Sequence, residues 1–525
     1  MHFILQSLSM HKPFALVLIF SLFIAWCSQS FKKVQGFDPP KTWDSTKFGQ
    51  FLLPLADSSV VIKPISEFYY YSLPEIKIYK SYPIYVNDSD DSLYIDSLKK
   101  LEPVEIFKSE NILTSEDLIK YGENVFSAPI LTFNLFPKFL EELRLEIKNS
   151  GIPLAAGNRY PFYNYIIDQK GVIKVGIFSC AMCHTRVMQD GSVINGAQGN
   201  FPMDRRDGYT GELRIASSTS EELKHLDTLF RRGRKSLHRA PWINDESQQE
   251  LDTMSAKTIV AYLKAIPPGV MARHGSSLRY PVKVPDLIGI RERKYMDATG
   301  LMKQTSIGDL MRYSAFNQTL DMLNSYNGFI PSGVDFKILP ESGQGKFIGT
   351  AKRYSDMELF ALSNYLYSLV PPKNPERFDS KLLQRGNKVF KEEHCTECHT
   401  PPLYTNNKLS PVDDFSPGKS DYSNLDIFDD VPVGTNPGLA LYTRRGTGYY
   451  KVPSLKGLWY RGPFGHSGSA ATLEEWFDKG RLQSNYVPQG LKPPFQKTMP
   501  IPGHQFGLGL SDNDKKALIA FLRSI

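Results

Sequence analysis

Four of the five cysteines in the 525-residue chain fall in two pentapeptides, Cys180-Ala-Met-Cys-His184 and Cys395-Thr-Glu-Cys-His399. Two thiols three positions apart, with an imidazole directly after them, can clasp one edge of a porphyrin. The thiols add across its vinyl groups and the histidine reaches its iron. C-x-x-C-H is for this reason the attachment signature of c-type haem. The spacing predicts two covalently bound haem c groups, with Cys180, Cys183, Cys395 and Cys398 as the thioether positions. His184 and His399 are the expected axial ligands. Paired C-x-x-C units also bind zinc. That alternative needs the two pairs close together in space and gives no reason for a histidine after each.

The elements that must position these motifs occur twice, in one order. Leu118-Ile-Lys-Tyr-Gly-Glu-Asn-Val-Phe126 matches Leu382-Leu-Gln-Arg-Gly-Asn-Lys-Val-Phe390, with helical spacing and Gly122 and Gly386 at equivalent places. Glycine there would let two helices approach closely. Lys283-Val-Pro-Asp-Leu-Ile-Gly289 matches Lys451-Val-Pro-Ser-Leu-Lys-Gly457, followed in register by Arg293 and Arg461, then Gly300 and Gly468. Ser355-Asp-Met-Glu358 and Ser511-Asp-Asn-Asp514 each open a helix, because serine caps well and an acid three positions on favours the first turn. Each copy therefore reads as helix, C-x-x-C-H motif, long loop, KVP segment and closing helix, the plan of a cytochrome c domain.

The expected fold is mainly α: two tandem cytochrome c-like haem domains with long loops and an N-terminal extension. Residues 1–27 read as a signal peptide or lipoprotein signal, 28–110 as an extension without an assigned role, 111–375 as the first domain with insertions, and 376–525 as the second. Only four residues separate Phe390 from Cys395, whereas a long insertion separates Phe126 from Cys180. The extension has strand-like stretches such as Val60-Val-Ile-Lys63, and one insertion helix spans Ser255 to Lys264.

Composition narrows the rest. Hydrophobic residues make up 41% and charged residues 22%, ordinary globular material, and the net charge of +7 comes without a basic run. Nucleic acid is not an expected partner. Lys12 followed by the apolar stretch Phe14 to Trp26 has signal-peptide length. Export agrees with thioether haem, which is attached outside the cytoplasmic membrane, so a periplasmic or other extracytoplasmic location is expected. Cys27 stands where a lipidated cysteine would, although Trp26 departs from that pattern; a lipid anchor and a discarded signal cysteine are both open.

Tyr450-Lys-Val-Pro-Ser-Leu-Lys-Gly-Leu-Trp459 and Gly465-His-Ser-Gly-Ser-Ala-Ala-Thr-Leu-Glu-Glu475, together with the duplicated haem domain, resemble the bacterial di-haem cytochrome c peroxidase superfamily. The resemblance covers about residues 111–525, and its details are similar to the rubber-oxygenase-like branch. Where peroxidases of that family carry a methionine ligand after the H-x-G histidine, this chain has Gly480. The resemblance instead implies His504, in Pro502-Gly-His504, as sixth ligand of the second haem, with a surface role or Met499 as alternatives. Where the family places a displaceable histidine near the first haem, Asn200 stands. His225, His238 and His274 are the insertion histidines that could otherwise close that iron. Tyr295 occupies the place of an aromatic electron relay between the haems, with plain packing as the competing role. The segment Tyr313–Gln318 lacks the peroxidase acid, and Leu310, Met311 and Phe316 suggest an apolar distal wall.

Arg293 and Arg461, and with less force Arg444 and Arg445, are candidates for pairing with haem propionates. The acidic loop with Asp413, Asp414, Asp421, Asp426, Asp429 and Asp430 reads as solvated, or as a calcium or partner site. The resemblance implies an oxidoreductase whose N-terminal haem reacts with O2 or H2O2 and whose C-terminal haem stores or passes electrons. The other partner is a reductant or organic substrate, with a small redox protein as one candidate. A di-haem cytochrome c peroxidase and a non-catalytic electron-transfer cytochrome are the alternatives.

Overall fold

The structure is a computed structural model that describes residues 37–57, 59–87, 92–106, 114–237, 246–318, 329–331, 352–415, 425–427 and 433–525. The signal segment, Cys27, His238, Asp421, Asp429 and Asp430 lie outside these residues.

Two crossed helix pairs frame the two repeats. Ser115–Ser127 packs on Asp356–Ser368, and Ser380–Glu392 packs on Asp512–Ser524. All four begin at side-chain caps. Thr114 with Asp117 and Ser355 with Glu358 make capping boxes, while Asp379 and Ser511 cap the other two. These caps satisfy amide donors that a helix start leaves open. The crossings are tight because they are built on glycine. A Cβ on Gly122 would lie 2.1 Å from the Ala361 carbonyl oxygen, and one on Gly386 would lie 2.1 Å from that of Ala517.

The fold is mixed α/β, with 41% of the described residues in helices and 14% in strands, rather than mainly α. The correction arises in the insertion before Cys180. Arg159–Gln169 and Val172–Ile177 form a hairpin turning at Lys170 and Gly171, the glycine at φ 79°. With Leu131–Asn134 and Ser81–Tyr85 they make a four-stranded antiparallel sheet. The aromatic and β-branched run Tyr160-Pro-Phe-Tyr-Asn-Tyr-Ile-Ile167 carries that strand signal in the sequence. The hairpin delivers the chain directly into the first motif, which forms the one-turn helix Cys180–His184 capped by Ser179.

The extension is woven into the first repeat. Its edge strand joins the sheet, and Ile62–Pro64 pairs antiparallel with Phe329–Pro331. Trp43 stacks on Tyr70 at 4.9 Å, meets Phe316 edge-on at 5.3 Å, and donates its indole N–H to the Ile65 carbonyl. Besides Ala256–Ala265, capped by Ser255, the later insertion contains the helices Met203–Ala216 and Ser220–Leu237. A buried ion-pair cluster binds them: Asp204 accepts from Arg234, Arg273 and the Ala272 amide.

Replacing Gly386 with Ala should force that crossing apart. We expect a loss of about 1–3 kcal/mol, as for other overpacked core sites, read as a lower denaturant midpoint at unchanged slope. An unshifted midpoint would contradict the close approach.

Candidate functional site

Each motif histidine is held by the KVP segment of its own repeat. His184 Nδ1 lies 3.0 Å from the Pro285 carbonyl oxygen. His399 Nδ1 lies 3.1 Å from that of Pro453 and 3.2 Å from that of Tyr404. A carbonyl can only accept, so Nδ1 carries the proton in both rings and Nε2 keeps its lone pair. Burial pushes both imidazoles down to about 4 despite these carbonyls, so they are neutral at pH 7. Burial also pushes the Cys183 thiol up to about 11 and that of Cys395 up to about 12, making them thiols rather than thiolates. Among the described residues no three His, Cys, Asp or Glu side chains gather as a metal cluster, so the C-x-x-C pairs do not form the joint zinc site.

The second motif opens on a cavity of about 310 Å³, lined by Cys395, Cys398 and His399. His504 faces His399 within it, ring centroids 6.4 Å apart. Two metal–imidazole bonds of about 2 Å each, plus the half-width of each ring, need about the same span. The Nδ1 of His504 is buried without a hydrogen-bond partner. Burial, with His399 and Arg481 adding to it, pushes this imidazole down to about 3. Met499 is not among the lining residues, and its amide bonds the Tyr486 carbonyl.

The loop carrying His504 is strained and clamped. His504 has φ 46°, left-handed for a residue with a Cβ. A Cβ on Gly503 would lie 2.3 Å from the Thr435 amide nitrogen, which explains the Pro-Gly-His order. Arg481, wholly buried, donates to the carbonyls of Ile501, Gly503 and His504 and stacks on Trp476 at 4.8 Å. No pattern in the sequence marks Arg481. Its partners are backbone oxygens, that of Trp476 five positions upstream and the others some twenty downstream, and carbonyls leave no signature in side-chain identity. His466 forms another wall, stacked on Tyr450 at 3.5 Å and bonded through Nε2 to the Thr435 hydroxyl.

Around the first motif the surroundings differ. Leu310, Met311 and Phe316 are buried in one apolar cluster with Ala181, and Cys180 packs against it. The aromatic residues of the extension complete that cluster from outside. Asn200 is tied to both backbone groups of Val187, and His225 is exposed on its helix. His274 sits on the loop beside Arg273. Asp309 caps its own helix through Thr305 and Ser306, and Asp297 accepts from Tyr313 and pairs with Arg444.

Tyr295 is buried and lines the second cavity, in the cluster of Leu53, Leu409 and Tyr449. Its hydroxyl oxygen accepts from the Asp426 amide at 2.9 Å, and burial pushes its phenol up to about 12. Arg293 and Arg461 line the cavity too, but their guanidiniums first clamp their own loops. Arg293 donates to the carbonyls of Asp286 and Ile288, and Arg461 to those of Ser454 and Lys456. Arg444 and Arg445 are not among the lining residues; Arg445 donates to the Leu53 carbonyl. Asp426 pairs with Lys294.

No protein-family model matches the sequence, and no curated protein matches it. Solved structures do. A hydrazine synthase of Kuenenia stuttgartiensis, pressurised with xenon, is 15% identical, with 58% of this chain and 88% of that chain covered at a TM-score of 0.27. A MauG-like protein associated with microbial copper homeostasis is 18% identical, with 58% and 89% covered at a TM-score of 0.29. Similarity at this level assigns neither a fold nor a function.

Arg481→Met should release the His504 loop, since three buried carbonyls lose their donor. We expect a cost of about 3 kcal/mol and faster amide hydrogen exchange across residues 501–506. Exchange unchanged in that loop would mean that Arg481 does not hold it.

Proposed function

We propose that the chain is a di-haem c-type cytochrome oxidoreductase with two unlike centres, one reactive and one that stores or passes electrons. The observation that carries this reading is the facing pair His399 and His504 across one cavity. Around the first motif the matching surroundings are aliphatic and aromatic. Bound haem would supply an iron that exchanges single electrons and, with one face open, takes up a small oxidant such as O2 or H2O2.

The residues fit such a group. Cys180, Cys183, Cys395 and Cys398 are half-buried thiols suited to thioether bonds, and His184 and His399 present Nε2 with the tautomer fixed by carbonyls. His399 and His504 would hold the second group together, and the chemistry it would then supply is electron transfer. Leu310, Met311 and Phe316 keep water from the first centre. Tyr295, a neutral phenol on the wall of the second cavity, is our candidate for an electron relay. Asp309 and Asp297, on and against the helix that carries Leu310 and Met311, are engaged in a helix cap and an ion pair, and an engaged acid moves protons poorly during O–O cleavage. That favours oxygen-type chemistry over the peroxidase alternative. The chemistry of the attachment motifs and the Lys12-led apolar segment support an extracytoplasmic location. Among the described residues no helix is long and apolar enough to cross a membrane.

A haemochrome assay should count two haems per chain, and fewer would overturn the reading. EPR of the oxidised protein should show one high-spin and one low-spin ferric centre; two low-spin centres would leave only an electron carrier. In His504→Ala the low-spin signal should be lost or shifted while the high-spin signal stays. An unchanged low-spin signal removes His504 as ligand. Turnover of peroxide with a reduced donor would favour the peroxidase.

A further inference from the structure

Resting on the di-haem reading, we infer that Lys283 and Arg293 of the first repeat join Lys451 and Arg461 of the second in one half-buried cationic cradle. It binds the carboxylates of the porphyrin held at Cys395 and Cys398. All four side chains line the cavity of the second motif, although two of them come from the repeat that carries the other motif. Each repeat contributes the lysine that opens its KVP segment and the arginine ten positions on, so the cradle follows the internal duplication.

The charges do not balance within the chain. Asp286 is the carboxylate shared by the two arginines, 3.7 Å from Arg293 and 3.8 Å from Arg461, and it also accepts from the Tyr460 hydroxyl. Its counterpart in the second repeat is Ser454, so the duplication supplies four cations but drops one of the two acids. Asp297 faces Lys451 but is paired with Arg444. The Nε atoms of Arg293 and Arg461 are buried without hydrogen-bond partners, although both guanidiniums have already bonded loop carbonyls.

Burial, with the neighbouring cations adding to it, pushes both Lys283 and Lys451 down to about 7. Buried charge without a partner is strongly unfavourable, and carboxylates are the planar anions that arginine forks and lysine ammoniums match. A porphyrin seated by Cys395, Cys398 and His399 brings two carboxylates into this cavity. No bond is made or broken; the contact is ionic.

Removing a nearby positive charge favours the ferric over the ferrous state, so Lys283→Met should lower the midpoint potential of the low-spin haem. Lys283→Arg should hold it, and exposed Lys497→Met should leave it unchanged. Resonance Raman of Lys283→Met should show a shifted propionate bending mode. Lys451→Met carries the same expectation from the other repeat and decides the matter if Lys283→Met does not accumulate. The haem count of each variant is taken first. Fewer than two haems in the wild type would defeat the di-haem reading. Two haems, with potential and propionate mode unmoved in the methionine variants, would defeat the cradle alone.

Discussion

The hydrogen bond from a motif imidazole to a proline carbonyl is the constraint on which both centres depend. It fixes which ring nitrogen carries the proton and therefore which can reach a metal. It also fixes distance, because His184 and Pro285, or His399 and Pro453, must come together across long loops. The arginine clamp that follows each KVP segment makes the acceptor rigid. Arg293 and Arg461 bond carbonyls seven and five positions behind them, in the same pattern in both repeats. Proline leaves the carbonyl without a competing amide at its own position, and the clamp keeps it aimed. The caps and glycine crossings then hold the helices that carry motif and loop together.

Duplication gave the chain two equal frames, and what was added since makes them unequal. In the second, His504 enters on a strained loop that Arg481 locks from behind. In the first, the insertion and the extension pack aromatic side chains behind the helix that carries Phe316. Asp286 stands at the join with no acid opposite it, so the two frames share an electrostatic boundary. Polarity and charge differ between sites whose backbone plan is the same.

The sequence exposed the parts of this plan that depend on residue identity. Cysteine and histidine at fixed spacing, the KVP repeat, Ser355 and Ser511 as helix caps and the paired glycines all act through their own side chains or the lack of one. His504 was legible only through resemblance, and its position opposite His399 comes from the fold. The sheet is hard to read from sequence because Tyr160–Ile167 does not alternate: Phe162 and Tyr163, then Tyr165 to Ile167, are buried in succession. Arg293 and Arg461, expected at propionates, each give two hydrogen bonds to backbone carbonyls and keep a buried Nε without a partner. Lys283 and Lys451 were read as landmarks of the repeat; only burial beside two arginines shows them as charges in need of a counter-ion. Pairing partners made of backbone, such as those of Arg481, leave no trace in residue type.

The strand Ile62–Pro64 is completed by Phe329–Pro331, and Ala56 bonds the Gly446 carbonyl. A chain made from its N-terminus therefore exposes its first attachment motif long before the partners of its own leading segment exist. During that interval the apolar cluster against which Cys180 packs lacks Phe329. The order of synthesis therefore leaves the leading segment among the last parts of the first repeat to find their partners.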